Sequence, residues 1–215
     1  LERLAAVGAD AGALITRYEA EVDISAKRAL LVALGDFPLS VMPVGEREAL
    51  TAKLLVQYRE HADPGLHGAI DWLLRQKWGK AKELAGIDAE LAKAARAAVL
   101  AREFAGVAVP LAVPVLPAPT VAQGKNWFVN GEGQTFAVVR GPVEFTMGSP
   151  LSEPGRFDDE VMHAKRISRT FAIATKEVTV EQFLRFHPNH GWATSFSPGP
   201  DTPIVSVTWY GAAEY

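Results

Sequence analysis

Apolar positions recur at helical spacing through the first hundred residues and at strand spacing in the last ninety, with a proline-studded interval between. The helical part repeats itself. When Leu14–Leu34 is laid over Leu54–Leu74, Leu14/Leu54, Tyr18/Tyr58, Asp23/Asp63, Ala29/Ala69 and Leu34/Leu74 coincide at a constant offset of forty residues. Ile15/Leu55, Leu30/Ile70 and Ala33/Leu73 keep their apolar character. Asp63-Pro64 pairs an N-cap oxygen with a proline at the first helical position, where the missing N–H is no loss. Leu66, Ile70, Leu73 and Leu74 then fall on one helix face, with Trp72 beside them. Phe37-Pro38 and Met42-Pro43 break the chain between the two units. Lys80–Phe104 continues as a third helical pattern with a stripe of Leu84, Ile87, Leu91, Ala95, Ala98 and Phe104, weakened by Gly86.

A period near forty in helical sequence resembles HEAT or armadillo repeats, whose units bury their apolar faces only by stacking on a neighbour. A generic helical bundle is the alternative. The third helix caps the stack or forms a coiled-coil seam, and the small number of heptads favours the cap. His61 and His67 are read as surface or helix-end residues and are given no role.

Residues 105–124 are apolar enough to suggest a membrane span. Pro110, Pro114, Pro117 and Pro119 leave no run of the ~20 residues a spanning helix needs. The expectation is extended chain, a semi-rigid spacer of roughly 3 Å per residue, marking a boundary between residues 1–104 and 125–215.

Beyond it the pattern is short strands. Trp127–Val129 and Gln134–Arg140 flank the Asn130-Gly131-Glu132-Gly133 turn as a hairpin. Val143–Met147 follows Gly141-Pro142 and stops at Gly148-Ser149-Pro150. Ala164–Ser168 and Phe171–Ala174 make two more strands. Thr179-Val180-Glu181-Gln182 is a capping box opening a helix over Val180–Phe186, which ends at His187-Pro188. After a Gly/Pro-rich loop, Pro203–Trp209 reads as an apolar strand.

The 215 residues carry a net charge of −3 with both signs interspersed, which excludes the basic footprint of a nucleic-acid binder or a polybasic membrane anchor. The lack of any cysteine excludes disulfides, thiolate metal sites and a Cys nucleophile, and fits a reducing, cytoplasmic compartment. No signal-peptide pattern opens the chain. The first residue is not Met and the last ones enter a helix, so the expectation is a piece of a longer protein.

The ordered set Phe145-Thr146-Met147-Gly148-Ser149, Glu153-x-Gly155-Arg156, Asp159-Glu160 with His163, Lys176-Glu177-Val178-Thr179-x-x-Gln182-Phe183, and Pro203–Tyr210 with Ala212 resembles the N-terminal half of the sulfatase-modifying-factor domain, that of the formylglycine-generating enzyme. It covers about 85 residues, from near Gln134 onward. The resemblance implies a C-type-lectin-like α+β fold, here its first half, and with the HEAT-like helical region before it the chain is α+β overall. Active members oxidise a sulfatase cysteine to formylglycine with molecular oxygen, through two enzyme cysteines and copper, with calcium bracing the fold. Those features belong to the family's C-terminal half, so no catalytic, cofactor-binding or metal residue carries over to this chain. Helical repeat, linker and such a domain together also resemble bacterial multidomain proteins with a Ser/Thr kinase domain upstream.

Other residues invite chemistry, each with a plainer reading beside it. Asp158, Asp159 and Glu160 could ligate a hard cation, but without the glycine spacing of a calcium loop they read as an acidic turn. His163 reads as a strand-edge hydrogen-bonding residue. His187-x-x-His190 has no third ligand in sequence for zinc. Glu177 could be a general base and reads better as a structural carboxylate taking backbone donors. Two functions follow: a fragment whose complete parent oxidises a protein cysteine, itself inert, or a non-catalytic module that binds a protein or peptide partner. Residues after Lys125 are expected to be partly unfolded in isolation, for want of half their core.

Overall fold

The computed structural model describes residues 4–5, 8–104 and 124–215, so the expected linker over 105–124 falls outside it except for Gly124. The described chain is a mixed α+β structure. Helices α1 (Ala11–Ala20), α2 (Ile24–Leu34), α3 (Val44–Glu60) and α4 (Pro64–Asp71) come first, with a single 3-10 turn at Leu39–Val41. A π-helical stretch, Trp72–Lys77, prolongs α4, and α5 spans Ala81–Phe104.

The forty-residue repeat is a repeat of local chemistry. Asp23 and Asp63 cap α2 and α4, accepting from the N–H groups of Ala26 and Leu66, both at 2.7 Å. Two residues upstream of each cap a side-chain acceptor steadies the turn: Glu21 Oε1 takes the N–H of Asp23 at 2.9 Å, and His61 Nδ1 takes that of Asp63 at 3.1 Å. Tyr18 and Tyr58 are both buried near the ends of α1 and α3. Each donates a hydroxyl hydrogen bond to a later helix, Tyr18 to Gln57 and Tyr58 to Asp88, both at 2.6 Å. Helix α1 packs on α3 and α2 on α4, so like helices lie side by side. One apolar core runs through all of them, with Leu31, Leu34, Leu50, Leu54, Leu66, Ile70, Leu73 and Leu74 at its centre. Leu84 and Ile87 of α5 belong to that core. The start of its stripe therefore closes the helical stack from within the chain and is not free to form a seam with a second one.

The β part begins with β1 (Trp127–Val129), β2 (Thr135–Val139), β3 (Val143–Met147), β4 (His163–Ile167) and β5 (Phe171–Ala174). An antiparallel sheet in the order β1-β2-β5 sets Trp127 opposite Ala137 and Phe136 opposite Ala174. A separate hairpin pairs β3 with β4, Met147 opposite His163. The β1–β2 turn is held by Asn130, whose Oδ1 accepts from the N–H groups of Glu132 (3.0 Å) and Gln134 (2.8 Å). Helix α6 (Val180–Phe186) carries the capping box in full, with Thr179 and Gln182 each accepting the other's backbone N–H.

The expected strand over Pro203–Trp209 does not form. Pro203 makes one isolated bridge to Thr179, Ser206 sits at φ 63, and Thr208 caps a short helix, α7 (Trp209–Glu214). A prolyl nitrogen offers no ladder donor, and a left-handed residue breaks the alternation a strand requires. Apolar character there marks chain that packs, not chain that pairs.

Gly148 ends β3 at φ 103, and a Cβ on it would stand 2.6 Å from the carbonyl oxygen of Val161. Both the conformation and the backbone contact demand glycine. Gly148→Ala is expected to cost about 1–3 kcal/mol in the β3–β4 hairpin. Faster amide exchange over residues 143–167, with α1–α4 unchanged, is the readout.

Candidate functional site

The described residues contain one constellation of buried ionisable and aromatic groups, at the seam where the β part meets the helical part. It starts from β1. The strand's alternation sends Trp127 and Val129 inward against Ala92 and Leu91 of α5, while Phe128 stacks on Phe136 on the other face. Trp127 is 1% exposed. Its indole N–H donates to the carbonyl of His61 at 2.6 Å, and its ring lies 3.9 Å from that of His67. His67 stacks in turn on Tyr58, centroids 4.1 Å apart and nearly parallel. The Asn126 N–H donates to Ala62 O at 2.9 Å, and Lys125 Nζ donates to Arg59 O while sitting 4.5 Å over the Trp127 ring. Three consecutive residues thus fill the carbonyl-rich end of α3 and the turn after it. Free carbonyls at a helix C-terminus favour such donors, and the lysine adds charge of the favourable sign.

Beneath the ring stack lies a charged cluster. Asp71, 4% exposed, accepts from Arg75 Nε at 3.0 Å and from Lys176 Nζ, which reaches in from the segment between β5 and α6, and the Tyr58 hydroxyl oxygen lies 3.4 Å away. Arg75 also donates to Asp88 at 2.8 Å. Burial raises the Asp71 carboxyl, but Lys176 and Arg75 outweigh it and hold the group below the usual carboxylate range. Burial pushes the Tyr58 phenol well up, with Asp88 and Asp71 adding to it. Burial also pulls the His67 imidazole down, against the Tyr58 carbonyl and the two carboxylates. The cluster is a polar joint whose groups satisfy one another.

This corrects the reading of His67, whereas His61 is a helix-end residue as expected, the C-cap of α3. His67 is 3% exposed, buried between two aromatic rings and not at a surface, and His61 supports the joint with both its ring nitrogen and its carbonyl. A signal was available in the repeat. Position 31 is a buried leucine in the first unit, and its partner forty residues on is Asp71. Lys27, 5.2 Å over the Tyr18 ring, corresponds to His67 on Tyr58. An acid at a core-facing position calls for basic partners, here Arg75 one turn on and Lys176 from the β part.

The other candidates do not converge. Asp158 and Asp159 are exposed, while Glu160 accepts from Ser149 Oγ at 2.7 Å and tethers its own loop. His163 contacts Val161 O at 2.9 Å at the start of β4. The rings of His187 and His190 are 6.4 Å apart around Phe183, and His190 Nε2 faces Val205 O at 3.3 Å. Glu177 is exposed, and among the described residues no backbone donor reaches its carboxylate, contrary to the structural role expected of it. No three His, Asp or Glu residues among those described stand together as a group that could hold a metal ion. Among the described residues no helix is long and apolar enough to cross a membrane.

Compared with known protein families, with curated proteins and with solved structures, the chain matches none.

Proposed function

We propose that this chain is a HEAT-like helical mount carrying the first half of a sulfatase-modifying-factor-type domain, and that it holds that half-domain in place without itself performing the family's oxidation. The observation that carries the reading is the apolar exposure after β2. Leu151 is 90% exposed, Phe196 81%, Trp209 77% and Tyr210 75%, with Phe145, Met147, Phe157 and Ile173 also on the surface. Buried apolar side chains of that segment come down to Val180 and Phe183 among the described residues. Scattered apolar exposure is ordinary, but large aromatic and aliphatic side chains in this number are what further polypeptide of such a domain would cover. The ordered motifs of the resemblance, short strands and long loops agree with a lectin-like α+β half-domain.

In the complete parent, the remainder of the domain would supply the cysteine pair and with it the oxidation of a protein cysteine to formylglycine. A parent without that pair would be the second reading, a binding or regulatory module attached to a signalling protein such as a Ser/Thr kinase. The seam favours neither over the other, since both need the half-domain held firmly.

Hydrogen exchange on the 215-residue chain tests the half-domain. Amides of 141–209 are expected to exchange at least about a hundredfold faster than those of 14–74, because sub-global opening follows local burial. Equal protection in the two would overturn the reading. Two cysteines in the parent beyond residue 215, with conversion of a sulfatase cysteine peptide by that parent, would select the oxidase. Peptide capture without conversion would select the binding module.

A further inference from the structure

We propose that the seat of Trp127 is an acid-sensitive latch: protonation of His61 and His67 releases β1 from the helical part, while the helical core stays folded. The geometry fixes one hydrogen bond at the Nδ1 of each imidazole. His67 Nδ1 lies 2.8 Å from the Tyr58 carbonyl, a contact only an N–H can make favourably, so the proton that would charge the ring goes on at Nε2. A second proton would add a charge between the Tyr58 and Trp127 rings, and among the described residues no acceptor stands at Nε2. His61 works the other way round. Its Nδ1 accepts the N–H of Asp63 at 3.1 Å, so protonating it sets one donor against another. The turn disturbed is the one whose carbonyls hold Lys125, the Asn126 N–H and the Trp127 indole.

The groups around each ring have been set out by the packing. His67 faces Tyr58 of α3, Asp71 of α4, Asp88 of α5, Trp127 of β1 and Lys176 after β5. The carboxylates pull its proton on and Lys176 pushes it off, but burial is the largest effect and the imidazole is held below its ordinary range. His61 faces Asp63 and Lys27, and burial again leads downward. Histidines depressed in the seated state bind fewer protons there than in the released state. Their contribution to seating is therefore present above the ordinary histidine value of about 6.5 and lost as pH falls through the depressed values. Asp71, held low by Lys176 and Arg75 against its own burial, keeps its charge across that window. The Lys176 tie then persists, so release is a local opening of β1 on a tether.

The test is hydrogen exchange on the full chain, corrected for intrinsic rates, comparing protection of 127–139 with that of 14–74. Between about pH 7.5 and about pH 5 the ratio is expected to fall roughly tenfold or more, since each imidazole contributes up to about tenfold per pH unit. An unchanged ratio overturns the proposal. The double variant His61→Asn with His67→Phe keeps an acceptor and a stacked ring but cannot titrate, and its ratio is expected to be flat. A variant ratio that still falls as in the unmodified chain is equally fatal. NMR titration of the two imidazoles in the unmodified chain decides independently of variant folding: values at or above the ordinary histidine range overturn the latch, and values below it support it.

Discussion

Trp127→Ala is expected to separate the two parts of the chain into independently melting units. The indole is 1% exposed, and an aromatic side chain of its size buries roughly 150–250 Å². Truncation in a packed seat of this kind costs about 3–5 kcal/mol, transfer and cavity together. Here it also removes the N–H that satisfies His61 O, the ring under Lys125 Nζ, and one face of the His67 stack. None of these contacts belongs to the helical core, which is centred on Leu31, Leu50, Leu54 and Ile70. The loss should therefore fall on the β1-β2-β5 sheet. Urea unfolding followed by far-UV circular dichroism should keep its helical transition near the unmodified midpoint, while residues 127–139 lose exchange protection by a hundredfold or more, about 3 kcal/mol in free energy. Trp209→Ala, at a residue 77% exposed, is the control and should stay within about 0.5 kcal/mol. A Trp127 variant whose helical transition drops by the full amount would mean that the seam and the helical core form a single cooperative unit.

The elements and the seam differ in how far sequence reaches them. A cap such as Asp23 or Asp63 acts over three residues, and the forty-residue offset displays it twice, so the helices and their turns can be read directly. The hairpin turn at Asn130 and the box at Thr179 and Gln182 are equally local. The seam joins residues that are distant in sequence: Trp127 to His61, and Lys176 to Asp71, with no periodicity linking them. What sequence offered was an inconsistency, an acid where the first repeat keeps Leu31. The Pro203–Trp209 segment failed for a related reason. Its composition promised a strand, but a strand needs a neighbouring edge, and Pro203 and Ser206 cannot join one over more than a single bridge.

The inconsistency at position 71 gives the second large effect. Asp71→Ala should cost about 3 kcal/mol, the low end of what breaking a buried ion pair removes. The low end applies because the Lys176 side chain is 63% exposed and recovers hydration when freed, while Arg75 keeps Asp88 at 2.8 Å. Asp71→Leu imports the residue of the first repeat and should restore part of the helical stability, since an apolar side chain of fitting volume can replace a buried charge. It cannot restore the tie to Lys176. The two substitutions therefore split stability of the helical core from attachment of the β part, and a cycle with Lys176→Met measures the coupling between positions 71 and 176 directly. The pH dependence has a definite sign. The Asp71 carboxyl is held below its ordinary value of about 3.9, so its contribution is present above that value and lost as pH falls through the lower folded one. Urea melts at neutral pH and at about pH 3 should thus differ less in Asp71→Leu than in the unmodified chain. An equal acid loss in both would place the acid sensitivity in other carboxylates and leave Asp71 only a packing role.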